Sequence, residues 1–118
     1  MSDFKSILLA AISDAVPELA GKIQAGAVDE KTSAPFAAFD IPEERVVRTL
    51  DGIAGYETTF ELAVYDTRFA GADFLKKRIV AAIDGLQLQD RRCRFRSSST
   101  DYFPDYDLHG ISMTFRII

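Results

Sequence analysis

Four groups of side chains in this 118-residue sequence have the chemistry to act as a site: Cys93, His109, the carboxylates Asp101, Asp105 and Asp107, and the arginines Arg91, Arg92, Arg94 and Arg96. Cys93 alternates with arginines along an extended run, so it points away from Arg92 and Arg94. A nucleophilic thiol needs an exposed, electropositive setting and a base, so a buried structural thiol is the expected role. His109 is the only imidazole available as a base. The sequence has no G-x-S-x-G elbow, and Ser97, Ser98 and Ser99 lack a strand-turn-helix context, so a turn or surface hydrogen bond is the expected role of His109. The three aspartates miss the glycine and closing glutamate of a calcium loop. One Cys and one His cannot build a Cys/His zinc cluster. Neither G-x-x-x-x-G-K-[ST] nor G-x-G-x-x-G occurs, and Gly52-Ile53-Ala54-Gly55 reads only as a loop. No catalytic residue, cofactor or metal is expected, and the chain does not read as an enzyme.

The arginine run admits three readings. Arg92, Arg94 and Arg96 share one side of a strand, with Cys93 and Phe95 on the other. That side is a solvated face, or a subunit interface whose guanidiniums meet Asp40, Glu43, Glu44 or Asp105 of a neighbouring copy, or a DNA contact. The DNA reading needs exposed aromatics and basic surroundings, and Phe95 alternates inward. Charge adds to this. The chain carries 14 basic and 18 acidic groups, a net charge of −4. Residues 1–90 hold nine basic and fifteen acidic groups, and residues 91–118 hold five and three. An acidic body argues against nucleic-acid binding as the main activity. Tyr102, Phe103 and Tyr106 crowd one short loop, which folds back on the core or meets another chain.

The elements that position these groups follow from hydrophobic period. Phe4, Ile7, Leu8, Ala11 and Ala15 line one face of a helix over residues 3–16, with Ser2 or Asp3 as cap and Pro17 ending it or opening a short second turn. Residues 23–28 read as a short strand and 29–35 as a polar loop. Phe36 to Pro42 reads as extended, and the β-branched run Arg45 to Leu50 extends it or pairs with it. Asp51, Gly52 and Gly55 mark a turn. Tyr56 to Tyr65 alternates cleanly and is a half-buried strand. Residues 70–84 form a second helix with Ala72, Leu75, Ile79, Ala82, Ile83 and Leu86 as its core stripe, Phe74 well off that stripe and Gly85 as its stop. Residues 90–98 form a strand, Ser97 to Thr100 a polar loop, and Leu108 to Ile118 a last strand with Ile111, Met113, Phe115 and Ile117 on one face.

The length fits a single domain over residues 1–118, with a radius of gyration of roughly 13 to 14 Å. No apolar stretch is long enough for a membrane span, no signal peptide is indicated, and the lone Cys suits a reducing compartment, so a soluble intracellular chain is expected. Short links between neighbouring strands favour antiparallel pairing. The expected fold is therefore α+β: two layers, a mostly antiparallel sheet of four to five strands, and two main helices on one face.

Several segments, taken in order, carry a more specific likeness. They are Ala34-Pro35-Phe36-Ala37-Ala38-Phe39, then Arg48-Thr49-Leu50-Asp51-Gly52, Gly55-Tyr56-Glu57 and Thr59-Phe60-Glu61-Leu62-Ala63-Val64-Tyr65-Asp66. A helix ends in Ala82-Ile83-Asp84-Gly85, and the chain closes on Asp107-Leu108-His109-Gly110-Ile111-Ser112-Met113-Thr114-Phe115-Arg116-Ile117. This layout resembles the tail completion (tail-to-head joining, tail terminator-like) proteins of tailed bacteriophages and prophages. The resemblance implies a non-enzymatic structural protein that forms a homo-oligomeric ring, typically of six, at the head-proximal end of the tail. Its partners would be the tail tube protein and the head-tail connector protein, and its location the virion, after assembly in the bacterial cytoplasm. DNA would pass through the ring without sequence-specific contact. The other reading is a small bacterial adaptor with no virion role. On the ring reading, Glu43, Glu44, Val46 and Arg48 of the 43–56 segment form one side of the contact and Arg91, Arg92, Arg94 and Arg96 the other, with Phe74, Tyr102, Phe103 and Tyr106 as further partner contacts.

Overall fold

The computed structural model describes residues 4–26, 32–50 and 52–118. Helix α1 spans Phe4–Ala15, and a 3-10 turn follows at Pro17–Leu19, so Pro17 both ends the helix and starts the next turn. Strand β1 is Ile23–Ala25, β2 is Phe36–Thr49 and β3 is Gly52–Asp66. Helix α2 spans Phe69–Ile83, then β4 is Gln87–Leu88, β5 Arg91–Phe103 and β6 Leu108–Ile117. The proposed caps Ser2 and Asp3, residues 27–31 of the first strand and loop, and Asp51 lie outside the described residues.

The sheet has six strands in the order β1-β2-β3-β6-β5-β4, which corrects the expected four to five. It is mixed, because β1 runs parallel to β2, with Ile23 beside Ala37. Three residues are too few to show a period of two, so β1 and the still shorter β4 escape a pattern reading. The other pairings are antiparallel. One open alternative is decided and two expectations are corrected. Phe36–Thr49 is one strand, with a register shift between Asp40 and Glu43 that re-aims its second half. Gly52 to Gly55 is strand rather than loop, because Thr49 pairs directly with Gly52 across a tight hairpin turn. Ser97 to Thr100 is also strand: Ser99 pairs with Ser112 and Thr100 with Ile111, so an ordered partner supplies what a polar sequence does not advertise.

The core lies between the two helices and one face of the sheet. Leu8 and Ile12 of α1, Leu75 and Ile79 of α2, and Phe60, Leu62, Ile111, Met113, Phe115 and Ile117 of the sheet are buried together. Phe60 and Phe115 sit at paired positions on β3 and β6, with ring centroids 6.3 Å apart. Gly85 follows α2 with φ +83°, a conformation that glycine adopts without strain, and so stops the helix where the sequence places its end.

Strand β6 reaches β3 only as far as Thr58, which pairs with Ile117. The earlier part of β3 pairs with β2 alone, in a two-stranded arm that projects from the body. The radius of gyration, 15.1 Å, exceeds the value expected of a compact chain of this length, and the extents are 52 × 25 × 23 Å. The arm accounts for the excess.

Body and arm should respond differently to truncation. Phe60→Ala is expected to cost about 3–5 kcal/mol by urea denaturation, while Val47→Ala, on the arm, stays within about 0.5 kcal/mol. Equal losses would show that the arm belongs to the cooperative core.

Candidate functional site

The arm carries apolar side chains that its own body covers only in part: Val47 and Tyr56 line a pocket with Asp90, Arg91 and Ile118, and Leu50 is fully exposed. Val46 and Val47 are 37% and 39% exposed, Tyr56 50%, and Leu50, at the tip, 106%. Consecutive residues of a strand point to opposite faces, so Val46 and Val47 together leave the arm without a single dry side. A lone two-stranded ribbon is marginal in water. Glu43, Glu44 and Arg48 are exposed along it. The alternation test does not single out Val47, Leu50 and Tyr56. The signal that does is apolar residues at both parities beside a tight turn.

At the base of the arm, Glu57 holds two guanidiniums. Arg45 Nη2 donates to Glu57 Oε2 at 3.0 Å, and Arg116 pairs with Oε1. The Arg45 hydrogen bond, with the nearby charges of Arg116 and Arg96, holds the Glu57 carboxyl below its ordinary value. The same pairing raises Arg45, to which Glu43 contributes.

The arginine strand divides by parity. Arg91 has the parity of Cys93 and turns to the helix side. Its Nη2 donates to Thr58 Oγ1 at 2.6 Å and to the Ile117 carbonyl at 2.9 Å, and its guanidinium lies 5.6 Å from the Phe4 ring centre. Thr58 is fully buried, so this contact satisfies a buried hydroxyl and ties α1, β3, β5 and β6 together. Arg92, Arg94 and Arg96 are exposed. Arg92 donates to Gln87 Oε1 at 2.9 Å. Arg94 stands opposite Arg116 on β6, and a register shift between Phe95 and Ser97 displaces Arg96 from their row. The structure does not bring Arg94 to Glu43 or Glu44 within one chain: β3 and β6 lie between β5 and the β2 side of the arm.

The far end of the sheet is aromatic. Tyr102 and Phe103 lie in β5, not in a loop, and only Tyr106 sits in the turn before β6. Tyr102 lies 4.7 Å from the His109 ring, and Phe69 of α2 flanks that ring at 6.2 Å. The Tyr102 hydroxyl donates to Asp107 Oδ1 at 2.9 Å, which pushes its pKa up. On the opposite face Tyr65 lies between Phe36, at 5.1 Å, and Phe103, at 5.9 Å. A Cβ at Gly110 would meet these rings at 2.9 and 3.0 Å, so glycine is what lets them cross the strand. Phe36, Ala38, Tyr65, Phe103, Tyr106 and Leu108 line a cleft of about 280 Å³.

The remaining candidates resolve individually. Cys93 is fully buried, and burial, with Asp84 nearby, pushes its thiol up to about 12, so it is no thiolate nucleophile at neutral pH. Among the described residues no three His, Cys, Asp or Glu side chains group to hold a metal, Asp101, Asp105 and Asp107 included. Phe74 is 60% exposed and seats the Arg78 guanidinium 5.2 Å above its ring. Arg78 in turn donates to the Ala15 carbonyl at 2.9 Å and to Glu18 Oε1 at 3.1 Å, joining α2 to the end of α1.

Over residues 7–118 the sequence matches the family described as tail completion protein gp17. No curated protein matches it. Among solved structures, a chain from the virion of a native gene transfer agent (GTA) particle is similar, at 21% identity and a TM-score of 0.60, with 92% of this chain and 90% of that one covered. That likeness is one of fold.

Both Glu57 and Glu18 are held by arginine below the ordinary carboxylate value of 4.5. A depressed carboxyl stabilises the fold above its unfolded pKa, and this is lost as pH falls through the folded one. The urea midpoint should therefore be flat near neutrality and drop as pH falls below 4.5. Glu57→Gln should make that drop shallower, and an unchanged slope would show that the pairs do not count in solution.

Proposed function

Because the chain belongs to the family of tail completion protein gp17 and so is a structural protein of a tailed-phage virion, we propose that it closes the head-proximal end of the tail as a ring of its own copies. The ring docks between the tail tube protein and the head-tail connector protein. Six copies is the number that the family resemblance implies. The observation that carries the ring reading is the arm: a body with a complete core extends a ribbon whose Val46, Val47 and Tyr56 are only partly covered and whose tip residue Leu50 is fully exposed.

Closed rings need heterologous contacts, one patch of each copy meeting a different patch on the next. The arm is built from β2 and β3, and the outward guanidiniums of Arg94 and Arg96 stand on β5 beyond β6, so one copy can offer the two to different neighbours. The acidic balance fits as well, since a lumen that passes DNA must not grip phosphates.

Replacing residues 46–56 by Asn-Gly joins the paired residues Arg45 and Glu57 through a two-residue turn and removes the arm without touching the core. The shortened protein should keep its circular dichroism and cooperative unfolding. Where the parent sediments as a ring, visible by negative-stain microscopy, the variant should sediment as a monomer. In a phage supplied only with this variant, heads and tails should accumulate unjoined. Rings that persist without the arm would remove it from the interface, and complete virions made without the protein would leave the adaptor reading. Arg92→Glu with Arg94→Glu probes the arginine strand in the same assay and should weaken assembly without unfolding the chain.

A further inference from the structure

We infer that the aromatic cleft at the far end of the sheet is the receptor for the arm of a second copy, with Leu50 as the inserted side chain and Arg48 as its charged companion. This rests on self-association of the chain, and it names the surface that self-association uses.

The cleft and the arm tip cannot meet within one molecule. Leu50 lies beyond one end of β3, and Phe103 and Leu108 lie beside its other end. The fourteen residue steps between them span roughly 45 Å of extended strand. Any contact between them joins two copies, and where the arm and the cleft of one copy engage different neighbours the contact is heterologous, as a closed ring requires.

Their chemistry is complementary. The cleft wall is apolar: Phe36, Ala38, Tyr65, Phe103 and Leu108, with Tyr106 at its mouth, 74% exposed. At about 280 Å³ it suits one or two side chains, below the usual range for a small-molecule site. Leu50 is the most exposed large apolar side chain among the described residues. Beside the cleft stands Asp101, whose charge reaches Tyr65, and the exposed Asp105 precedes Tyr106 in the turn, while Asp107 is turned to Tyr102 on the other face. The tip brings Arg48, exposed and two residues from Leu50. A cation beside an aliphatic anchor therefore meets an apolar hole with the Asp101 carboxylate beside it and Asp105 in the adjoining turn. The approach is also open. Ala38, Ala63, Ser112 and Ser99 stand side by side on four neighbouring strands and form a low shelf beside the cleft, along which a two-stranded ribbon can lie.

Cys93 is buried, so introduced cysteines are the reactive thiols of this protein. Leu50→Cys and Tyr106→Cys are prepared separately and mixed under mild oxidation. The mixture should form disulfide dimers at least about tenfold faster than either variant alone. Leu50→Asp should weaken self-association, read by sedimentation, about 10- to 100-fold, the range expected for losing one buried leucine. Arg48→Asp should weaken it too, and Asp105→Arg on the partner should restore it. If copies associate but the mixed thiols react no faster than each variant by itself, or Leu50→Cys links mainly to itself, the cleft is not the receptor and the ring reading stands. If the parent protein stays monomeric throughout the accessible concentration range, both fail together.

Discussion

The sheet has one dry face, and nearly every assignment follows from that constraint. Strand β3 has a neighbour on both sides along the stretch from Thr58 to Tyr65, and there its alternate residues Phe60, Leu62 and Val64 enter the core. Beyond Thr58 the third strand is missing, no helix lies beneath, and the alternation loses its meaning. Side chains at both parities then face water. The division between body and arm is thus set by where β6 stops accompanying β3, and it falls at the residue that Arg91 clamps. Thr58 would be a buried hydroxyl without a partner. The guanidinium gives it one and, through the Ile117 carbonyl and the Phe4 ring, fastens both sides of the junction.

The same parity rule sorts the charges. Four arginines within six residues look like one basic patch in the sequence, but the strand places them in different surroundings. Arg91 serves the interior. Arg92 is engaged by Gln87, and Arg96 is displaced at the register shift. Arg94 faces Arg116, whose charge is taken up by Glu57 together with Arg45. Much of the positive charge near the base of the arm is therefore answered within the chain, which leaves a modest outward field. That suits a surface selecting a partner by register better than one attracting a polyanion at distance.

What was legible in the sequence was what periodicity and chain-local chemistry control. The alternation from Tyr56 to Tyr65, the stripe of α2 with its glycine stop, the inward set Ile111, Met113, Phe115 and Ile117, and the burial of Cys93 each depend on a residue's immediate neighbours. What was not legible depends on a distant partner. Ser97 to Thr100 become strand because Thr114 to Ile111 lie alongside, and β1 exists because β2 offers it an edge. Arg91 stands at the intermediate point: its inward turn follows from counting parity back from Cys93, yet its purpose depends on Thr58, far away along the chain. The family likeness came from the order of weak segments, and the match over residues 7–118 bears it out. The arm was visible as a segment, while its projection from the body was not.

An exposed apolar hairpin is an aggregation hazard as well as a connector, and the arm carries the means to contain it. Open strand edges invite indiscriminate pairing, which natural sheets suppress with charge and with irregular register. Here Glu43, Glu44, Arg45 and Arg48 are spread along one strand, and that strand changes register twice, between Asp40 and Glu43 and between Val47 and Arg48. A flat, sliding partner finds no continuous apolar row. A partner with a single apolar hole for the tip and a carboxylate beside it meets no such obstacle. Together with the net charge of −4, which keeps like copies apart at long range, this makes association depend on a fitted contact at short range. On the proposed ring, copies that join only at a fitted contact need that separation between what repels and what fits.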